Sequence, residues 1–375
     1  MYISGAEELA EFCARIEKNH VIAVDTEFVR ERTYYPKLCL VQVATHDEAA
    51  SIDPILIDDL SPLARLLEDE RVTKVFHACA QDLEVLQGGL GCTVRSVFDT
   101  QLGAAFLGSR LQIGLGALVK DYTGVDLAKG EALSDWERRP LDEEQLAYAE
   151  DDVRYLPRIY DRMVSELARL GRLAWMEPEL SALTAKGERP DPMEAYIHLK
   201  RVSTLTRRQL AIAREVCAWR EREAAARDLP RRWVMTDEVV VEMCRMQPRT
   251  IQRLRKIRGT DQLSEHACTE LVAAVARGVA CPAELCPRTD RHARPSSETQ
   301  SVLDLMNALL RLVAEREGVA SQLIATRDDL HDFLTKRSKA RLAEGWRYEI
   351  CGRQMDRLLS GELGLTIHKG HLEIV

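Results

Sequence analysis

The sequence predicts an α/β domain with a mixed central sheet, followed by two small all-α domains. Three observations support this. From residue 20 to about residue 98, compact apolar runs alternate with short helical stretches. Beyond about residue 175 the strand signal disappears, and two proline-bearing polar stretches divide the remainder into two helical blocks. With 375 residues, the chain is also longer than one core of roughly 100 to 200 residues normally serves.

The strand signals are the runs at 21–24 (VIAV), 38–44 (LCLVQVA) and 72–76 (VTKVF), rich in β-branched residues and bounded by charged or turn residues. Helical periodicity covers 60–67, 80–87, 100–107 and 115–122, and predicts one long helix over 142–170. That helix has a readable start: Pro140 precedes it, and Asp142 is followed three residues later by Gln145, the pattern of a capping box. The stretches 186–192 (KGERPDP) and 281–297 read as linkers, with helical blocks at 206–279 and 301–359. The domain boundaries expected are 1–175 for the α/β domain, 176–203 for a linker, and 204–285 and 296–375 for the helical domains.

Hydrophobic residues make up 46% of the chain and charged residues 30%, an ordinary globular balance, and no apolar run approaches the roughly 18 residues that span a bilayer. The N-terminus has no basic region followed by an apolar core, so a cytoplasmic protein without a membrane partner is expected. The ten cysteines include no Cys-x-x-Cys pair and read as small core residues. Cys281, Cys286 and His292 lie near one another in sequence, but a fourth zinc ligand is missing. Gly114 and Gly116 lack the remaining glycines and the strand of a dinucleotide fingerprint.

The net charge of −8 excludes a generally cationic surface but not a local one. Arginines between 207 and 232 have Glu215, Glu221, Glu223 and Asp228 close by and read as a solvated face. Arg245, Arg249, Arg253, Arg255, Lys256 and Arg258 have fewer local acids and are the better candidates for phosphate contact.

The chemistry is carried by acids. Asp25 and Glu27 stand two apart at the end of the first strand, so both carboxylates project to one side. Buried there, they repel each other, and a divalent cation is the usual remedy. Asp82 follows a second apolar strand and falls in the first turn of a helix, where a carboxylate facing the helix dipole is the simpler reading. Tyr148 and Asp152, four apart, share a helix face, whereas Asp151 points elsewhere.

Taken together, these residues resemble a known family. Val24 to Arg30 (VDTEFVR) with Thr33 to Pro36 (TYYP) and Leu40-Val41-Gln42 is similar to the first exonuclease motif of ribonuclease D. His77 with Asp82 to Leu86 (DLEVL) is similar to the second, and Tyr148 to Leu156 (YAEDDVRYL) to the third, in its tyrosine-containing form. Asp99-Thr100-Gln101, Asp135-Trp136 and Arg139-Pro140-Leu141 also resemble that family. The helical blocks resemble, more loosely, the helicase-and-RNase-D C-terminal (HRDC) domain.

The resemblance implies a ribonuclease H-like exonuclease domain with two HRDC-like domains. It implies a 3′→5′ exoribonuclease releasing 5′-mononucleotides, in which Asp25, Glu27, Asp82 and Asp152 hold two divalent ions, Mg²⁺ or Mn²⁺, and Tyr148 orients the attacking water. The implied partners are transfer RNA precursors and other small structured RNAs, acted on by a monomer. Around the centre, Phe28 either packs on the terminal nucleotide or joins the core, and His77 either faces the site or is a satisfied structural histidine. Arg139 reads as a phosphate contact, and Arg253, Arg255 and Lys256 as contacts to the body of the RNA. On this division of labour, a piece ending near residue 200 would still trim short oligonucleotides. DNA as substrate, and an adaptor without activity, are the competing readings; gathering acids beside a polyanion serves no mere binder.

Overall fold

Six strands form one sheet in the order β1-β4-β3-β2-β5-β6, where β1 is Tyr2–Ile3, β2 Val21–Val29, β3 Lys37–Ala44, β4 Ala49–Ile52, β5 Thr73–Phe76 and β6 Val97–Asp99. β1 and β4, β2 and β5, and β5 and β6 pair in parallel, and β3 and β4 antiparallel, so the sheet is mixed. The computed structural model describes residues 1–127, 134–185, 191–288 and 296–375. It divides into two compact units: Met1–Glu27 with Cys39–Gly187 and Arg294–Val375, and Phe28–Leu38 with Glu188–Ala293.

β2 lies inside the sheet, and its residues Ile22, Ala23 and Val24 are wholly buried, which is why that stretch is continuously apolar. β1, β4 and β6 have only two to four residues and carry too little pattern to be read in sequence. The long helix expected over 142–170 is two helices, Glu143–Arg154 and Leu156–Arg169, and the second carries Pro157 in its first turn. Proline has no N–H to give the preceding turn and restricts the residue before it, so it starts a helix more easily than it continues one. The capping box is present: Gln145 N–H donates to Asp142 Oδ1 at 2.8 Å and Asp142 N–H to Gln145 Oε1 at 3.1 Å.

The segment 176–203 is largely helical, with an α-helix at Leu173–Ala185 and a 3₁₀ segment at Pro192–His198; residues 186–190 of the expected linker lie outside the described residues. The block after residue 296, led by the helix Ser297–Glu317, shares one core with the α/β domain. Trp346 stacks on Trp175 with ring centroids 5.3 Å apart and meets Phe106 at 5.2 Å. Arg172 donates to the carbonyls of Phe106 (2.7 Å), Gly318 (3.0 Å) and Glu317. Gly108 has a φ of +94°, and a Cβ there would lie 3.2 Å from the Gly318 carbonyl oxygen, so the close approach needs glycine.

In the second unit, the helix Arg207–Ala226 crosses the helix Glu265–Ala280 at Gly278, where a Cβ would come within 2.5 Å of the Ile212 Cα. The segment that follows Glu27 is held here. Asp228 Oδ1 accepts the amides of Tyr34 and Tyr35, both at 3.0 Å, and the Tyr34 hydroxyl donates to Glu221 Oε2 at 2.9 Å.

The shared core alters the expectation for truncation. A chain ending at residue 288 would bare Phe106 and Trp175, so it should not yield a soluble, active catalytic piece. Within the full chain, Trp346→Ala should cost about 3 to 5 kcal/mol. Urea unfolding followed by tryptophan fluorescence measures it, and a change under about 0.5 kcal/mol, the scale of a surface substitution, would show that the packing contributes little.

Candidate active site

β2 carries Asp25 and Glu27 to the C-terminal end of its buried stretch, and the helix Glu143–Arg154 brings Asp152 alongside them. One carboxylate oxygen from each of Asp25, Glu27 and Asp152 lies within 4.8 Å of the others. Asp82 stands in the first turn of the helix Ala80–Leu90, and its Oδ1 accepts the Thr26 hydroxyl at 2.6 Å. The Tyr148 hydroxyl hydrogen-bonds Asp152, one helical turn away.

The electrostatics of this group are those of crowded acids. Burial first, then the charges of Asp82, Asp152 and Glu27, raise Asp25 well above the usual carboxylate range. Burial and the charges of Asp152 and Asp82 push Glu27 up to about 8. Burial takes Asp152 to about 7 despite the hydrogen bond from Tyr148, and Asp82 to about 6 despite that from Thr26. Burial and the neighbouring carboxylates raise the Tyr148 phenol too, so it stays a donor. Oxygen-only ligands with excess negative charge suit a hard divalent cation.

Asp99 organises the turn that delivers Asp82, a role not read from the sequence. This buried carboxylate accepts backbone amides from Ala78 (3.3 Å), Cys79 (2.9 Å), Gln101 (2.8 Å) and Leu102 (3.1 Å). It thereby caps the helix Thr100–Phe106 and fixes the turn at Ala78, whose φ is +64°, from which the helix carrying Asp82 begins.

Similarity to known proteins decides the family. A family model described as 3′-5′ exonuclease matches residues 1–168, and one described as HRDC domain matches residues 209–275. Ribonuclease D of Sphingobium indicum is 40% identical over 99% of this chain and 97% of its own. Ribonuclease D of Jannaschia sp. is also 40% identical, over 100% and 98%. The chain belongs to the ribonuclease D family. The crystal structure of Escherichia coli RNase D, described as an exoribonuclease involved in structured RNA processing, superposes with a TM-score of 0.83 at 31% identity, over 96% of this chain and 98% of that one. The chain is thus a 3′→5′ exoribonuclease, a hydrolase with a mixed-sheet exonuclease domain and a helical HRDC domain.

Not every residue read from the sequence reaches the acids. His77 is satisfied within the domain: Nε2 donates to the Ile113 carbonyl at 3.0 Å, Nδ1 lies 3.0 Å from the Thr100 hydroxyl, and burial lowers its pKa. The ring ties β5 to the following segments and has no nitrogen left for a nucleotide. Arg139 is also spent, so the phosphate contact expected of it is corrected. Its guanidinium forms a two-pronged pair with the buried Asp53 and donates to the carbonyls of Cys39 (2.7 Å), Trp136 (2.7 Å) and Arg138 (2.8 Å). All five N–H groups are committed. Phe28 is half-buried and directly follows Glu27.

In the helical unit, Arg255 donates to the carbonyls of Thr260 (2.6 Å), Asp261 (3.2 Å) and Leu263 (2.7 Å), which closes a loop. Arg253 and Lys256 are exposed, and among the described residues neither side chain has a partner. Much of the earlier arginine cluster is consumed internally: Arg207 and Arg208 by carbonyls near Cys281 and Cys286, Arg220 by Asp237, and Arg231 by Glu221. Cys281 and Cys286 are buried thiols packed with Ala211, and His292 lies outside the described residues. Among the described residues no helix is long and apolar enough to cross a membrane.

The crowded acids bind more protons folded than unfolded, so their contribution to stability is fully present below unfolded values of roughly 4 and is lost as pH rises through about 6, 7 and 8 at Asp82, Asp152 and Glu27. In chelator, thermal unfolding should therefore shift to lower temperature across that window, and added divalent cation should reverse the shift; a flat profile would mean that neither burial nor neighbouring charge raises these acids. Separately, Arg139→Ala leaves Asp53 buried without its charge partner, which should cost about 3 to 5 kcal/mol. Denaturant unfolding checks this, and weakened RNA binding with unchanged stability would instead make Arg139 a phosphate contact.

Proposed function

We propose that this exoribonuclease removes 5′-mononucleotides from the 3′ ends of small structured RNAs, transfer RNA precursors among them. In this reading it acts as a cytoplasmic monomer, with Asp25, Glu27, Asp82 and Asp152 holding two divalent cations, Mg²⁺ or Mn²⁺. The observation that carries the reading is the convergence of Asp25, Glu27 and Asp152 within 4.8 Å, with neighbouring carboxylates as the charges that disturb them. A donor set of this kind is stable in its ionised form only with cations bound.

Such cations supply charge neutralisation at the scissile phosphate and a hydroxide at neutral pH. The remaining work falls to this chain's own groups. Tyr148, held by its bond to Asp152 and kept protonated by burial, orients the attacking water through its hydroxyl. Thr26 fixes the rotamer of Asp82, and Asp99 fixes the turn that presents it. In this reading Phe28, which follows Glu27 in the chain, packs on the terminal base or ribose. The exposed Arg253 and Lys256 contact phosphates of the RNA body, which position the strand without reading its sequence.

Asp25→Asn should abolish 3′ trimming while raising stability in chelator, because one repelling charge is gone. Tyr148→Phe should lower the single-turnover rate on the order of 10² to 10⁴ with saturating RNA and barely change affinity. End-labelled transfer RNA precursor with Mg²⁺ or Mn²⁺ tests both; near-normal turnover by either variant would remove that residue from the site.

A further inference from the structure

Two further strands, β7 (Leu365–His368) and β8 (His371–Ile374), form an antiparallel hairpin closed by Lys369 and Gly370. Both turn residues have positive φ, +49° and +84°, as the favoured two-residue hairpin turn requires. At the open end Gly364 and Val375 exchange two backbone hydrogen bonds of 2.9 Å. The register sets Leu365 opposite Ile374, Thr366 opposite Glu373, Ile367 opposite Leu372, and His368 opposite His371. Opposite residues share a face and successive residues alternate between faces. One face is therefore Leu365, Ile367, Leu372 and Ile374, and the other is Thr366, His368, His371 and Glu373. Leu365 and Ile374 pack on the core, which turns the second face away from it.

His368, His371 and Glu373 are exposed on that outer face, and among the described residues none of these side chains has a hydrogen-bond or ion-pair partner. Directly opposite residues hold their Cβ atoms roughly 4.5 to 5.5 Å apart, so both imidazoles reach one ion at metal–nitrogen distances of about 2.0 to 2.1 Å. Glu373, two along the strand from His371, adds a carboxylate on the same side. The ligand atoms do not converge as those of Asp25, Glu27 and Asp152 do, but rotation about χ1 and χ2 of exposed side chains brings them onto an ion. The donor set differs in kind from the acidic centre. Imidazole suits Zn²⁺, Ni²⁺ and Cu²⁺, whereas oxygen-only sites suit Mg²⁺ and Mn²⁺. The ten cysteine thiols, which would compete for such ions, are all buried.

We propose that His368 and His371, with Glu373 beside them, form a surface binding site for a transition-metal cation, Zn²⁺, Ni²⁺ or Cu²⁺, on the outer face of the β7–β8 hairpin. Solvent water completes the coordination. A two-stranded hairpin is marginal by itself, and an ion joining both strands beside the turn clamps the end opposite the Gly364 and Val375 bonds. Two exposed histidines near a turn would otherwise be solvated side chains. Their placement opposite each other on one face is what makes them a chelate, so the placement itself is what the experiment varies. The site shares no residue with the acidic centre and does not depend on the RNA-degrading reading of the chain.

The test is calorimetric titration of the full chain with Ni²⁺, in excess Mg²⁺ to occupy oxygen ligands. The wild type should show a saturable site that His368→Ala or His371→Ala weakens by at least about tenfold, because one arm of the chelate is lost. Glu373→Gln should weaken it less. A rearranged variant, His368→Ala with Ile367→His, keeps the number of histidines and their nearness in sequence but moves one imidazole to the other face. It should bind as weakly as His368→Ala alone. All four substituted positions are exposed, so the hairpin should survive each change. In the wild-type chain, Ni²⁺ should also protect His368 and His371 together from diethyl pyrocarbonate, read by mass spectrometry of the modified peptides. Wild-type affinity in either single histidine variant or in the rearranged one overturns the proposal, as does the lack of a saturable site or of paired protection in the wild type.

Discussion

Carboxylates brought together in dry protein repel, and the exonuclease domain is arranged around that repulsion. Two unit charges about 4 Å apart interact by ~4 kcal/mol even at an effective dielectric constant of 20, more than most single contacts contribute. The fold must hold Asp25, Glu27 and Asp152 against this force, and it does so from the end of a buried strand and from a capped helix. The supporting bonds are strong for the same reason. Asp99 takes four amides to fix one turn, and Arg139 commits every donor to Asp53 and three carbonyls.

Among the described residues, the hydroxyls of Thr26 and Tyr148 bond the acids, and these neutral groups orient them without quenching their charge as an arginine would. Cations free to meet phosphate occur in the helical unit, at Arg201, Arg253, Lys256 and Arg258.

Much of the acidic centre was legible in the sequence because it depends on local geometry. Asp25 and Glu27 share a strand face, Tyr148 and Asp152 share a helix face, and both relations follow from chain periodicity. The groups that were misread or left open depend on partners far away in sequence. Arg139 finds Asp53, and His77 finds Ile113; nothing near either residue announces that partner. The union of the last helical block with the exonuclease core was hidden for a related reason: an amphipathic helix shows that it has a buried face, not what covers it. The break at Pro157 was readable and is a matter of weighting one proline against a long periodic pattern.

Proton release on metal binding tests the account most directly. With Glu27 near 8 and Asp152 near 7, the site holds protons at about pH 6.5 that must leave when cations bind. Calorimetric titration of the metal-free full chain with Mn²⁺, repeated in buffers of different ionisation enthalpy, reads that release as a buffer-dependent heat. The account predicts at least one proton released at about pH 6.5, shrinking toward about pH 9, and none for Asp25→Asn if that change removes binding. Tight Mn²⁺ binding with heats independent of buffer would contradict it, because the acids would then be ionised without their metal, and burial and crowding would not have raised their pKa values.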